Sequence, residues 1–408
     1  MAGRIEIEDR AVGAGATLSG IRIARVSTVP FFVAAQLKLQ IAALGRLGAQ
    51  VSVVTSDEPE LASLQGLEGV RCVPINIPRA ISPWHDLLAL IRLARFCRKE
   101  RIQIAHSTTP KAGLLTALAA FVAGVPLRLH TFTGQPWVNM RGPKRWLLRS
   151  CDRLIGRLNS RCYADSASQR RFLVEQGIIE AGRISVVGAG SLAGVDVQRF
   201  DRHRISAVQG ESLRRELNIP EKAPVVLYLG RITVDKGVRE LLQAFEALKA
   251  AGSAAHLLLV GRFDVGSGVS GAISPHDVER LRDAHFVKYT ESPESYMAIA
   301  DVLCLPSYRE GFGTVVIEAA AMGVPAVGTE IYGLTDAIVP GETGLLVPPR
   351  NVSELLAALK NILDDGPLRA RMGEAARQRA RALFDAADVN RLVIDEYCGL
   401  LAKTKVSR

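Results

Sequence analysis

Two rhythms of apolar residues alternate along the chain. Residues 21–26 form a short β-rich apolar run, 36–47 carry apolar positions at helical spacing, and 51–55 form a second β-rich run. The unit recurs as a helix over 87–99, a strand over 102–105, a helix over 112–123 and a strand over 126–131. A fresh start follows at 224–229, a strand running into Gly230 and Arg231, then a helix over 238–251 and a strand over 256–260. The pattern continues with a strand at 286–289, a helix at 293–300, a strand at 302–305, a helix at 314–322, strands at 326–328 and 344–347, and helices at 353–364 and from 368 onward. Strands alternating with helices predict parallel sheets covered on both faces. The fold class is α/β with two Rossmann-like domains, because 408 residues exceed what one core organises. Expected boundaries are a loose tail at 1–20, a first domain at 21–198, a polar Arg-rich linker at 199–221, a second domain at 222–385 and a final helix at 386–408.

Composition narrows the class only a little. With 48% hydrophobic, 23% charged and 5% aromatic residues the chain is neither collagenous nor low-complexity. The six cysteines show no C-x-x-C pair or zinc spacing, which predicts reduced thiols and a cytoplasmic protein. Residues 1–20 lack the features of a secretory signal. The nearly uncharged stretch 112–127 falls short of the ~20 residues that span a bilayer and is expected as a buried helix. The net charge of +10 is uneven: residues 1–200 hold 26 Lys/Arg against 14 Asp/Glu, and residues 201–408 hold 25 against 27. The first half is therefore suited to something anionic, whether lipid headgroups, phosphates or nucleic acid, or it carries plain solubility charge.

Ligands of open parallel sheets bind beyond the carboxyl ends of the strands, so the chemistry belongs in those loops. The loop 228–237 reads Y-L-G-R-I-T-V-D-K-G, setting Arg231 and Lys236 after a strand and before a helix. Arg offers a planar fork and Lys a mobile point charge, and a diphosphate can use both. The stretch 305–325 places Gly311 and Gly313 before a helix, where close backbone approach and free N–H groups favour phosphate. Glu310 and Glu318 are eight residues apart, roughly 12 Å if the interval were helical, comparable to the span from a hexose across a diphosphate to a ribose. Glu318 stands among Val315, Val316, Ile317 and alanines, where a carboxylate requires a partner.

G-R-x-x-x-D-K-G paired with E-G-F-G-x-x-x-x-E resembles the retaining glycosyltransferases of family 4, which have the GT-B fold, and the resemblance covers nearly the whole chain. It implies that Arg231 and Lys236 hold the diphosphate of a nucleotide-sugar donor, with Glu318 on the ribose and Glu310 on the transferred sugar. Gly230, Gly311, Phe312, Gly313 and Thr314 complete the expected donor site, with Arg231, Lys236 and Glu310 as the catalytic set. The last helix is expected to cross back to the first, acceptor-binding lobe. No D-x-D occurs, consistent with a metal-independent enzyme in which Lys and Arg stabilise the departing diphosphate, with no cofactor besides the donor as co-substrate.

The loop 106–113, H-S-T-T-P-K-A-G, resembles the subgroup that elongates polyprenyl-diphosphate-linked glycans, making His106 and Lys111 acceptor-side candidates. The next loop, H-T-F-T-G-Q-P-W, has Thr133 and Gly134 where many family members have His-Gly; both are acceptor-side candidates, and a His-assisted role is not expected. Arginines at 141, 145, 149, 153, 157 and 161, interleaved with Trp146 and Leu147, form a drifting helical stripe suited to an anionic membrane interface or to plain solvent. No nucleic-acid module accompanies it, so nucleic acid is not an expected partner. The expected partners are a nucleotide sugar, a lipid-linked or other glycan acceptor and an anionic membrane at the cytoplasmic face. Two rivals are weighed. The G-A-G-S-L-A-G run at 188–194 would suit a dinucleotide oxidoreductase, but it does not open a strand–helix unit. A non-catalytic scaffold would be expected to have lost Arg231, Lys236 or Glu310, and all three are present.

Overall fold

The computed structural model describes residues 18–56, 58–78, 80–263 and 273–406. Its frame is two separate, wholly parallel sheets. The first contains β1 (Arg22–Val26), β2 (Gln50–Thr55), β3 (Val70–Pro74), β4 (Ile104–Thr108), β5 (Leu127–Phe132), β6 (Arg161–Ala164) and β7 (Ile184–Val186), in the order β3-β2-β1-β4-β5-β6-β7. The second contains β8 (Val225–Leu229), β9 (His256–Val260), β10 (Ala284–Val287), β11 (Val302–Leu305), β12 (Ala326–Thr329) and β13 (Gly344–Val347), in the order β10-β9-β8-β11-β12-β13. Helices cover both faces, so the central strands are apolar throughout; every residue of β9 is buried. Strand order reverses between β1 and β4 and between β8 and β11, which opens a crevice at the carboxyl edge of each sheet.

Strands β3, β6 and β7 are absent from the sequence reading. The last two are only four and three residues long, and β3 lies at the sheet edge with no fully buried position, so none carries a strong apolar run. β4 starts and ends later than expected, which puts His106 inside the strand, where register pairs it with Arg25 of β1 and Leu129 of β5.

The polar stretch 199–221 is not a free linker. It contains the helix Ala207–Glu216, opened by a Ser206/Gln209 capping box. Phe200 and Ile219 lie in the second-lobe core, with Ile205, Leu213 and Leu217 packed against it. Charge on the outer face masks these apolar positions in the sequence. The chain then recrosses between lobes: Val195 N–H donates to the Phe384 carbonyl at 2.7 Å and Ala386 N–H to the Val195 carbonyl at 2.9 Å. Beyond that point the helix Ala386–Val406 sends Val393, Ile394 and Tyr397 into the first-lobe core. Of the expected tail, 1–17 lie outside the described residues, while Leu18 is fully buried in the same core. The stretch expected as a buried helix is Pro110–Val122, covered except at Phe121 and Val122 near its end. Among the described residues no helix is long and apolar enough to cross a membrane.

Buried beneath the first lobe, Asp152 accepts the Trp137 indole N–H at 2.7 Å, and desolvation pushes its carboxyl up to about 7 in spite of that bond. The unfolded chain holds this group near ~3.9, so between the two values the folded protein binds the extra proton and stability falls as pH rises. Asp152→Asn keeps an acceptor oxygen and removes the titration. Thermal melts from about pH 5 to about pH 8 should therefore show a shallower loss of Tm in the variant than in wild type; parallel curves would count against this account.

Candidate functional site at the facing sheet edges

The second-lobe half is built first by β8. The strand ends at Leu229, so Gly230 and Arg231 emerge at the carboxyl edge, and the buried Tyr228 hydroxyl donates to the Arg231 carbonyl at 2.5 Å. A short turn, Val234–Lys236, then presents Lys236. From the neighbouring β11 the chain runs through Ser307 to Glu310, whose Oε1 accepts from Lys236 Nζ at 2.5 Å and from the Ser307 hydroxyl at 2.8 Å. Lys236 and Glu310 are only 17% and 13% exposed, so the pair is shielded from water on most sides. Burial alone would raise the Asp235 carboxyl; the Thr233 hydroxyl and the charges of Arg231 and Arg309 outweigh it and hold it below the usual range. Burial, reinforced by the Glu310 charge, drives the Tyr228 phenol well up. Arg231, Lys236 and Glu310 therefore share one electrostatic neighbourhood.

Glu318 sits in a second one. It lies in the helix Thr314–Ala321, and Gln36 of the first lobe hydrogen-bonds to it. Burial pushes this carboxyl up to about 7, with Arg199 pulling it down and Glu294 pushing it up. Arg199 in turn holds Glu294 at 2.9 Å. The two carboxylates thus occupy opposite ends of a strip running along the loop and helix start. Between them, Gly311, Gly313 and Thr314 offer backbone, whereas the Phe312 ring is buried edge-on against Phe384 at 5.1 Å and belongs to the core.

The first lobe supplies the opposite wall. Thr133 and Gly134 follow β5 and Asp165 follows β6. A β-carbon on Gly311 would lie 2.7 Å from the Thr133 carbonyl and 3.0 Å from Asp165 Oδ2, so the second-lobe loop can approach this wall only because residue 311 has no side chain. Desolvation pushes the Asp165 carboxyl up to about 7; the Leu192 N–H opposes and the Glu310 charge adds to the shift. Asp165 has no counterpart in the sequence reading, because recognising it depends on locating β6.

Two expected acceptor-side residues are elsewhere. His106 is buried inside β4, with Nδ1 2.5 Å from both an Arg25 amino group and the Tyr397 hydroxyl, and Nε2 2.8 Å from the Thr131 hydroxyl. Desolvation, with the Arg25 charge, holds it well below its ordinary value. It lines a small cavity beside the C-terminal helix, with Thr131, Tyr163, Ser191, Glu396 and Tyr397. Lys111 pairs with Asp86 at 2.6 Å and donates to the carbonyls of Pro78 and Ala80, binding its helix to the preceding loop.

The arginine stripe is also divided. The helix spans Gly142–Leu158, so Arg141 is its N-cap and Arg161 is in β6. Arg149 donates to the Gln176 carbonyl, Arg153 to the Gly177 carbonyl at 3.0 Å, and Arg161 to the Gly182 carbonyl at 2.9 Å. The start of the stripe, Arg141, Lys144 and Arg145 beside Trp146 and Leu147, faces outward, as does Arg157 further along the helix.

Two Rossmann-like lobes, each on a wholly parallel sheet and meeting where Gly311 approaches Thr133, make the GT-B fold. Within it, the chain carries a glycosyl transferase 4-like domain at residues 33–190 and a glycosyl transferases group 1 domain at residues 209–379. It is 28% identical to a capsular polysaccharide biosynthesis glycosyltransferase, CapM, of Staphylococcus aureus over 85% of this chain and 89% of that protein. It is 33% identical to a D-inositol 3-phosphate glycosyltransferase of Corynebacterium aurimucosum, over 56% of this chain and 54% of that one. Its fold superposes on Anabaena HepE in complex with UDP-glucose (TM-score 0.75, 20% identity, 93% of this chain and 99% of that one). It also superposes on a sucrose-phosphate synthase of Thermosynechococcus elongatus (TM-score 0.77, 22% identity, 94% of this chain and 100% of that one). Among the described residues no group of three or more His, Cys, Asp or Glu side chains could hold a metal ion.

Tyr228 makes a stability test of the site's frame. Tyr228→Phe preserves the buried ring but strands the Arg231 carbonyl, and urea denaturation should show a loss of about 1–3 kcal/mol. An unchanged midpoint would mean that this bond does not fix the Arg231 loop.

Proposed function

We propose that this chain is a retaining family 4 glycosyltransferase that moves a sugar from a UDP-sugar to a hydroxyl of a glycan acceptor carried on polyprenyl diphosphate, in polysaccharide biosynthesis. The observation that carries the reading is the 2.5 Å contact of Lys236 with Glu310 on the second-lobe edge, directly opposite Thr133 and Asp165. A diphosphate seated at Arg231 and Lys236 gains a bidentate fork and a point charge, and the same two cations stabilise the charge that develops as the nucleotide departs. Glu310, one hydrogen bond from Lys236, meets hydroxyls of the transferred sugar. Glu318, at the far end of the strip, meets the ribose. The acceptor hydroxyl attacks from the face that the diphosphate leaves and a diphosphate oxygen takes its proton, which gives retention without a side-chain base. No metal ion is required. Lobe closure excludes water and limits hydrolysis of the donor.

The name of the capsular relative and the UDP-glucose complex of the structural neighbour support this choice of donor and pathway. The lipid-borne acceptor is supported by the first-lobe surface. Helices Pro83–Lys99 and Gly142–Leu158 begin near the carboxyl sheet edge, where Trp84 is 70% and Trp146 68% exposed, with Leu87 and Leu147 beside them. Arg141, Lys144 and Arg145, all exposed, precede the second tryptophan in the chain. Exposed indoles with aliphatic and cationic neighbours suit the headgroup region of an anionic bilayer, which would bring the acceptor to the cleft.

Calorimetric titration with UDP tests the donor site: Arg231→Ala should weaken binding at least tenfold, given the charge-assisted bonds removed, and equal affinity would sink the reading. Glu310→Gln should depress turnover with binding retained, while Glu318→Ala should mainly weaken binding; unchanged kinetics in both would refute the assignment. Product NMR should show the donor's anomeric configuration, and activity should survive EDTA. In flotation with phosphatidylglycerol vesicles, Trp84→Ser/Trp146→Ser should release the protein from the lipid fraction.

A further inference from the structure

Behind the facing edges the lobes are joined by contacts that the chemistry above leaves unused. Ser168, in the first turn of the helix Ala167–Glu175, donates its hydroxyl to Asp336 Oδ2 of the second lobe, and its backbone N–H reaches the same oxygen at 3.0 Å. The Ser168 hydroxyl accepts from the Gly333 N–H at 2.8 Å. Beside this, the Tyr332 hydroxyl donates to Gln135 Oε1 at 3.2 Å and accepts from the Gln135 N–H at 3.3 Å. Its ring continues a stack through Phe172 to Trp137, with centroids 4.7 and 5.6 Å apart.

The segment 332–336 touches the site directly. A β-carbon on Gly333, whose φ is +88°, would fall 2.7 Å from the Gly311 carbonyl oxygen and 3.1 Å from that of Glu310. The Glu310–Gly311 peptide is thus held between Gly333 on one side and Thr133 and Asp165 on the other. Asp165 is tied into the same group, since its N–H donates to Gln169 Oε1 at 2.7 Å and Gln169 Nε2 donates to Gln135 Oε1 at 3.3 Å.

Resting on the donor-side reading above, we propose that Ser168 and Asp336 are positioning residues: an interlobe clasp that closes the cleft and, through Gly333, seats the Glu310 peptide for transfer. Asp336 supplies an acceptor to a helix amide that would otherwise face the open cleft, so the bond exists only when the lobes meet. Neither residue belongs to the donor site proposed above. Because the clasp joins the lobes rather than gripping the nucleotide, its loss acts on turnover and on lobe separation, and leaves nucleotide affinity unmoved.

The test compares the full-length wild type with Asp336→Ala, Asp336→Asn and Ser168→Ala. UDP affinity by calorimetry should be unchanged in all three. Turnover of the donor should fall on the order of tenfold or more in Asp336→Ala, since small misplacements of reacting groups carry penalties of that size. Asp336→Asn, which keeps an acceptor at the same position, should recover much of the rate. Small-angle scattering should give a larger radius of gyration for Asp336→Ala than for wild type, with or without UDP. Wild-type turnover and scattering in Asp336→Ala would overturn the clasp, and so would a loss of UDP affinity proportional to the loss of rate. If Asp336→Ala does not fold, the same criteria apply to Ser168→Ala, with Asp336→Asn as the rescuing control. A wild type that binds no UDP would refute the donor reading, while the scattering comparison of the ligand-free proteins would still decide the clasp.

Discussion

The contact between Lys236 and Glu310 is the interaction on which the site depends. The two side chains come from the segments that follow β8 and β11, strands that adjoin where the sheet order reverses. A charge pair at this exposure returns little more than its own desolvation cost, but removing one member would strand the other at a cost of about 3–5 kcal/mol where burial is complete. It is therefore better understood as a device of placement than of stability. It sets a cation and an anion at one sheet edge in fixed relation, and a ligand that carries both negative phosphate and neutral hydroxyls can use both.

The same economy shapes the wall opposite. The first lobe presents backbone at Thr133 and Gly134 and a single carboxyl at Asp165, with Gly311 pressed close enough that no side chain would fit. Burying Asp165 near Glu310 raises its affinity for a proton, so the closed seam carries less like-charge repulsion than a count of carboxylates implies. The C-terminal helix binds the lobes from the far side. It leaves the second core near Phe384 and sets Tyr397 against Arg25 and His106 in the first, so the lobe arrangement is covalently and non-covalently constrained at two separate places.

His106 and Lys111 illustrate how far local pattern can be trusted. Both are acceptor-side candidates through the resemblance of the H-S-T-T-P-K stretch to one subgroup of the family. The strand is displaced by two residues, which moves His106 from loop to core, and Lys111 finds Asp86 within reach. A shift of that size is invisible to hydrophobic spacing, yet it decides whether a side chain lies in the buried strand or in the loop beyond it. The arginine stripe is divided for a related reason: equal spacing in sequence says nothing about the carbonyls of 176, 177 and 182 that occupy three of its members.

Alternating apolar rhythms sufficed to determine two parallel α/β lobes, because strand and helix periods differ and each lobe must bury its own core. Residue type and strand-end position also marked Arg231 with Lys236, and Glu310 with Glu318, and the family resemblance joined them into one set. Only the tertiary structure decided that Glu318 partners Gln36, that Asp165 meets Gly311, and that Ser168 meets Asp336. Those pairings join residues from different lobes, and the distance between lobes is fixed by how two finished surfaces fit, a quantity that no local pattern encodes.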